Sequence, residues 1–130
     1  MKLRTMSNGY TTGKVYVIWD IPYDEMNYYE LWRNGVIIQQ TELDNKGVPV
    51  KPTAIHTDLE DANPFVHPCL FDHDHHTHLF WKDSNHQMMF IDEEVFKRQE
   101  YMYLVIGKRI NEDGDIMDEI RSNVSYVEVE

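Results

Sequence analysis

Apolar and polar residues alternate along several stretches of the chain. Between Lys14 and Trp19, the residues Val15, Val17 and Trp19 point one way, and Lys14, Tyr16 and Ile18 the other. That period of two predicts a β-strand. Asp20-Ile21-Pro22 ends it, because proline has no N–H to give to a ladder. Tyr28 to Arg33 alternates again, with Tyr29, Leu31 and Arg33 on one face and Tyr28, Glu30 and Trp32 on the other. Asn34-Gly35 follows, a pair that tolerates positive φ and closes hairpins, and Val36 to Thr41 returns. Further strands are expected over Gln87 to Ile91, Tyr101 to Ile110 and Asn123 to Val129, with turns at Asp92-Glu93-Glu94 and Asn111 to Asp115. Residues 1–13 read as an arm or a thin first strand.

The stretch Val95 to Val105 organises this pattern. Tyr101, Tyr103 and Val105 share a face, and Val95 is placed to plug the end of a core. A tyrosine at the mouth of such a strand can bury its ring and turn its hydroxyl back to an upstream backbone group.

Taken together, the Trp19 strand, the string Tyr29 to Val36 with its Asn34-Gly35 hairpin, and the corner of Val95 with Tyr101 resemble the fibronectin type III family. Asp113-Gly114-Asp115 with Arg121 to Val124 is similar to that family's terminal hairpin. The resemblance covers residues 14–41 and 87–130 and implies an all-β, immunoglobulin-like sandwich of about seven strands. It implies a single domain over 1–130 with a long insertion at 42–87, between the middle strands. The chain departs from the family in that insertion, in the absence of Pro and Gly before Tyr101, and in its thin first strand. Within the insertion, Lys51 to His56 reads as a short edge segment. Thr57 to Asn63 reads as one helical turn capped by Thr57 and Glu60. The apolar residues Phe65, Leu70, Phe71, Leu79, Phe80 and Trp81 argue that the insertion folds back, as an extra hairpin.

Composition narrows the partners. The net charge of -11 disfavours a nucleic-acid backbone or an anionic membrane surface. It leaves room for a basic protein. Cys69 is the single cysteine, so no internal disulfide can form. The first residues hold no apolar signal segment, and no apolar run is long enough to span a bilayer. Synthesis in a cytoplasm without a signal peptide is the expectation.

One cluster could carry chemistry. Five of the seven histidines lie between His67 and His78, close to Cys69, Asp72 and Asp74. Imidazole and carboxylate suit zinc or a similar transition metal. His76 and His78 would share a face of a strand, with His73, Asp74, His56, His86 or Cys69 to supply a further ligand. A polar, histidine-rich loop without metal is the alternative. The histidines would in either case gain charge together on acidification. No nucleophile motif or phosphate-binding glycine loop is present.

The expected function is therefore a non-enzymatic, structural protein–protein interaction module with no required cofactor. The resemblance implies contact with proteins or glycans. An acidic, disulfide-free copy looks like those in tailed-bacteriophage virions, where such domains decorate capsids, necks, tails and baseplates. Partners would be other virion proteins or a host protein, with a homo-oligomer possible within an assembly. Candidate contacts are Trp32 and Tyr28 on the sheet, and Asp72, His73, Asp74 and His75 in the insertion. The competing readings are a metal-binding protein or metal-dependent hydrolase built on the His cluster, and an intracellular inhibitor of a host protein.

Overall fold

The structure is a computed structural model, and it describes residues 1–9, 12–20, 26–41, 43–49, 55–56, 80–82 and 87–130. Its strands are β1 (Leu3–Met6), β2 (Val15–Asp20), β3 (Tyr28–Arg33), β4 (Val36–Gln40), β5 (Ile55–His56), β6 (Phe80–Lys82), β7 (Gln87–Asp92), β8 (Glu100–Ile110), β9 (Ile116–Arg121) and β10 (Ser125–Glu128). They form two five-stranded sheets. The first runs β1-β2-β7-β6-β5. The second runs β10-β8-β3-β4, with β9 also paired to β8. Every ladder is antiparallel except the parallel contact of β5 with β6. The fold is all-β, as the alternation predicts.

The inward faces of the two sheets share one core. Leu3, Val15, Val17, Trp19, Met88 and Phe90 of the first sheet meet Tyr29, Leu31, Tyr103 and Val105 of the second. Burying each such aliphatic side chain contributes roughly 1.5–3 kcal/mol, so this layer is the main source of stability. The rings of Trp19 and Tyr29 lie 6.3 Å apart across it, tilted by 48°. Gly107 stands opposite Tyr29 on β8, and a Cβ there would come within 3.2 Å of the Tyr29 ring and of Met26. The missing side chain lets that ring lie over the strand. Tyr16, Ile18, Met89 and Ile91 face the other side of the first sheet, yet they too are buried. Two layers alone do not require burial on that face.

The hairpin and the corner form as the sequence predicts. Asn34 and Gly35 adopt φ of 51° and 81°, the primed turn that matches the twist of two paired strands. The Phe96 N–H donates to the Tyr101 hydroxyl at 2.9 Å, so that hydroxyl does reach back upstream. Tyr101 and Val95 pack against the core while staying partly exposed. Tyr103 is the more deeply buried ring of the pair, at 0% exposure.

Other expectations change. Among the described residues ten strands are present rather than about seven. β9 had no clear signal, because only Ile120 of its six residues is even partly buried. β9 and β10 follow the same edge of β8, and the register moves by one residue across Ser122 to Val124. The Ser122 hydroxyl accepts the Val105 N–H at 2.9 Å and bridges that break. Residues from the 42–87 stretch lengthen the first sheet: β6 pairs with β7, and β5 lies at the edge as expected. The pairing of β5 with β6 is parallel, and the hairpin foreseen for Phe65 to Trp81 falls mostly outside the described residues. The helical turn expected at 57–63 lies outside the described residues.

Candidate functional site

The outward face of the second sheet is the best-defined surface. Tyr29 and Leu31 turn into the core, so Tyr28, Glu30 and Trp32 of β3 turn out. Their cross-strand partners on β8 are Lys108, Ile106 and Leu104, and Gln40 and Ile37 of β4 complete the rows. At one end the face is polar and closed on itself. Glu30 is 7% exposed, a carboxylate kept out of water on an outward face. Its Oε2 accepts the Tyr28 hydroxyl at 3.1 Å and lies 3.5 Å from Lys108 Nζ. Trp32 Nε1–H donates to its Oε1 at 3.4 Å. Gln40 Oε1 is a second acceptor for the Tyr28 hydroxyl, at 3.0 Å. The Lys108 ammonium also sits 5.7 Å from the centre of the Tyr28 ring. Burial, and then the neighbouring Glu30 charge, push the Tyr28 hydroxyl up to about 12. A phenol held neutral in this way donates to the carboxylate and does not compete with it.

The other end of the face is apolar and open. Trp32 pairs with Leu104 and Ile37, and Met102 pairs with Tyr126 of β10. Trp32, Leu104 and Met102 are half-buried, while Tyr126 is 65% exposed. Beyond them, Glu100 and Glu128 stand directly opposite each other across β8 and β10, both exposed. Like charges at opposed positions destabilise a sheet slightly.

A second polar group joins the two sheets. Arg33 Nη1 reaches both oxygens of Asp92, at 2.9 and 2.8 Å. The Tyr103 hydroxyl donates to Asp92 Oδ2 at 2.7 Å, and the Glu94 N–H donates to Oδ1. Asp92 is 2% exposed. Burial works against the charge of Arg33, but the Asp92 carboxylate outweighs it and raises the guanidinium further. Burial and then Asp92 also raise the Tyr103 hydroxyl. Arg33 Nη1, the Tyr103 hydroxyl and the Glu94 N–H all converge on Asp92, so the group acts as a clamp between β7, β3 and β8.

Of the residues singled out from the sequence, Trp32 and Tyr28 do meet, around Glu30. Tyr28 is only 5% exposed, so it supports the face from beneath and is not itself open to a partner. Asp72, His73, Asp74, His75, His76 and His78 lie outside the described residues. Among the described residues no three His, Cys, Asp or Glu side chains converge as a metal site would require. Sequence reading missed Glu30, Lys108, Leu104 and Tyr126. The signal for the first two was the charge on an alternating strand, which becomes a pair only once β3 and β8 are set in register. No protein-family model, no curated protein and no solved structure matches this chain.

Proposed function

We propose that this chain is a non-enzymatic interaction module with a fibronectin type III-like build. Its contact surface is the outward face of the β4-β3-β8-β10 sheet. The buried Trp19, the Asn34-Gly35 hairpin and the Tyr101 hydroxyl turned back to the Phe96 N–H support that build. The reading is carried by one observation: on a single face, the buried charges are satisfied internally while Trp32, Leu104, Met102, Ile37 and Tyr126 remain partly open. Tryptophan and tyrosine flanked by aliphatic groups are the usual energetic centre of a protein interface. The facing carboxylates of Glu100 and Glu128 form its rim, and they favour a partner that brings a lysine or arginine there. The resemblance to virion domains makes a structural protein of an assembled particle the partner class.

A photo-crosslinking residue at position 126 tests this in the organism that makes the chain. The expected product is one basic structural protein, in fixed ratio, whose yield falls with salt. The paired charge reversal Glu100→Lys with Glu128→Lys should abolish the product without lowering the melting midpoint. A crosslink indifferent to both salt and charge reversal would sink the proposed surface. Stoichiometric zinc with chelator-sensitive hydrolysis would replace the whole reading with the enzymatic one.

A further inference from the structure

We propose that a second copy of this chain caps the contact surface described above, docking on it with its own Phe96-Lys97-Arg98 turn. The inference rests on the preceding reading of that surface and adds what covers it before another partner arrives. Three unfavourable residue choices meet at this turn. Phe96 is 76% exposed. Lys97 and Arg98 are exposed too, and among the described residues neither has an ion-pair partner, although the chain carries a net charge of -11. Arg98 has a φ of 68°, in the left-handed region that glycine or asparagine occupies at lower cost. A bulky residue held there points to a role beyond folding. The turn is nonetheless fixed. The Gln99 N–H donates to the Phe96 carbonyl at 3.3 Å, the Arg98 N–H to the Val129 carbonyl at 2.7 Å, and the Phe96 N–H to the Tyr101 hydroxyl at 2.9 Å. A ring and two cations are thus presented on a rigid tip, which has little freedom left to lose on binding.

The same chain carries the complement. From this turn the β8–β10 ladder runs through Gln99 and Val129 into the opposed pair Glu100 and Glu128, and then to Met102 and Tyr126. Cations, carboxylates and apolar groups therefore follow one another along one line. A twofold contact requires that residue i meets j while j meets i. An axis near the uncharged Gln99 meets that condition. It sets Lys97 and Arg98 against Glu100 and Glu128 of the other copy, and Phe96 against Met102 and Tyr126. Both sets of charges then face their opposites. A flat anionic partner, such as a membrane, would instead meet the exposed Glu93, Glu94, Glu100 and Glu128 around the same tip.

Sedimentation equilibrium of the intact chain over a micromolar to millimolar series tests the pairing. The salt is set at about 0.15 M, where repulsion between two acidic bodies is screened beyond about 8 Å. The expected mass rises from 15.5 kDa toward twice that value. Lys97→Glu with Arg98→Glu should remain a single chain, and so should Glu100→Lys with Glu128→Lys, both with the wild-type melting midpoint. An equal mixture of these two double variants should pair again, because each tip then meets a rim of opposite charge. A wild-type mass that never rises, a dimer that survives either reversal, a mixture that stays apart, or a mass beyond two chains overturns the proposal. The photo-crosslink at position 126 keeps the two readings apart. Lys97→Glu with Arg98→Glu should raise its yield with the basic partner, since the cap is gone, and an unchanged or lower yield overturns the capping role. A crosslink only to a second copy of the chain would sink the basic partner and uphold the pairing.

Discussion

The side chain of Asn123 brackets the backbone of Leu3. Its Oδ1 accepts the Leu3 N–H at 2.8 Å, and its Nδ2 donates to the Leu3 carbonyl at 3.0 Å. Asp20 N–H donates to the carbonyl of Lys2, so the backbone groups of Leu3 turn away from β2 and toward this amide. One side chain therefore stands in for a neighbouring strand and closes the seam between the two sheets. Asn123→Ala leaves both groups of Leu3 without that partner, and the expected cost is about 1–3 kcal/mol. Asn123→Asp keeps the acceptor and loses the donor, so it should fall between wild type and alanine. Urea denaturation midpoints check the order. Amide exchange at Leu3 should quicken in the alanine variant, which lacks the acceptor for that N–H.

Arg33 and Asp92 are 59 residues apart in sequence and form the buried clamp between the sheets. Arg33→Met strands a carboxylate that is 2% exposed. Breaking one side of a buried pair typically costs about 3–5 kcal/mol. The double variant Arg33→Met with Asp92→Asn removes both charges while an amide oxygen still accepts the Tyr103 hydroxyl, so it should recover much of the loss. A double variant no more stable than Arg33→Met alone would show that the cost lies in packing around Arg33. Thermal and urea unfolding of the four proteins in the cycle decides between the two.

Local signals were legible where alternating residues mark the two faces of a strand. β3 shows this: Tyr29 and Leu31 enter the core and Trp32 turns out, as alternation predicts. The Asn34-Gly35 turn needs only two residues to be recognised. Alternation gives a side chain's direction but not its depth. It put Tyr101 and Tyr103 on one face, and it did not say that Tyr103 would be the sealed one, bound to Asp92. Nor could it show that Lys108 would close over Tyr28, since that contact depends on the register of β3 against β8. β9 escaped because a strand exposed on most of its surface has no apolar pattern to read.

Gly114 and Gly35 share a backbone conformation but not an environment. Both have positive φ, 85° and 81°. A Cβ at Gly35 would meet nothing within 4 Å, whereas at Gly114 it would collide with the carbonyl oxygen of Lys46. That carbonyl belongs to the tight loop held by Asp44, whose carboxylate accepts the N–H groups of Lys46 and Val48. Gly35→Ala should cost about 1–2 kcal/mol, the left-handed penalty alone. Gly114→Ala should cost clearly more, because backbone has to shift. Its amide resonances should move at Lys46 and Gly47 as well as within the β8–β9 turn. Equal losses for the two variants would mean that the Asp44 loop yields freely.

Alkaline pH should loosen the fold through two phenols. Tyr28 is pushed up to about 12 by burial and by Glu30, and Tyr103 is raised by burial and by Asp92. In the unfolded chain both ionise near 10. Above that pH the folded protein holds protons that the unfolded chain has released, so stability falls as pH rises. The contribution of Tyr28 is fully present below about 10 and is lost as the pH passes 10 and approaches about 12. Tyr28→Phe removes one hydrogen bond to Glu30 and should be less stable at neutral pH by about 1 kcal/mol. It should also lose less on going from pH 10 to 12, because one of the two groups driving the loss is gone. Tyr103→Phe should flatten the same limb and cost more at neutral pH, since Asp92 then loses a donor in the interior. Urea midpoints collected across the alkaline range give the slopes. A wild-type curve flat to pH 12 would show that these hydroxyls ionise no later in the fold than out of it.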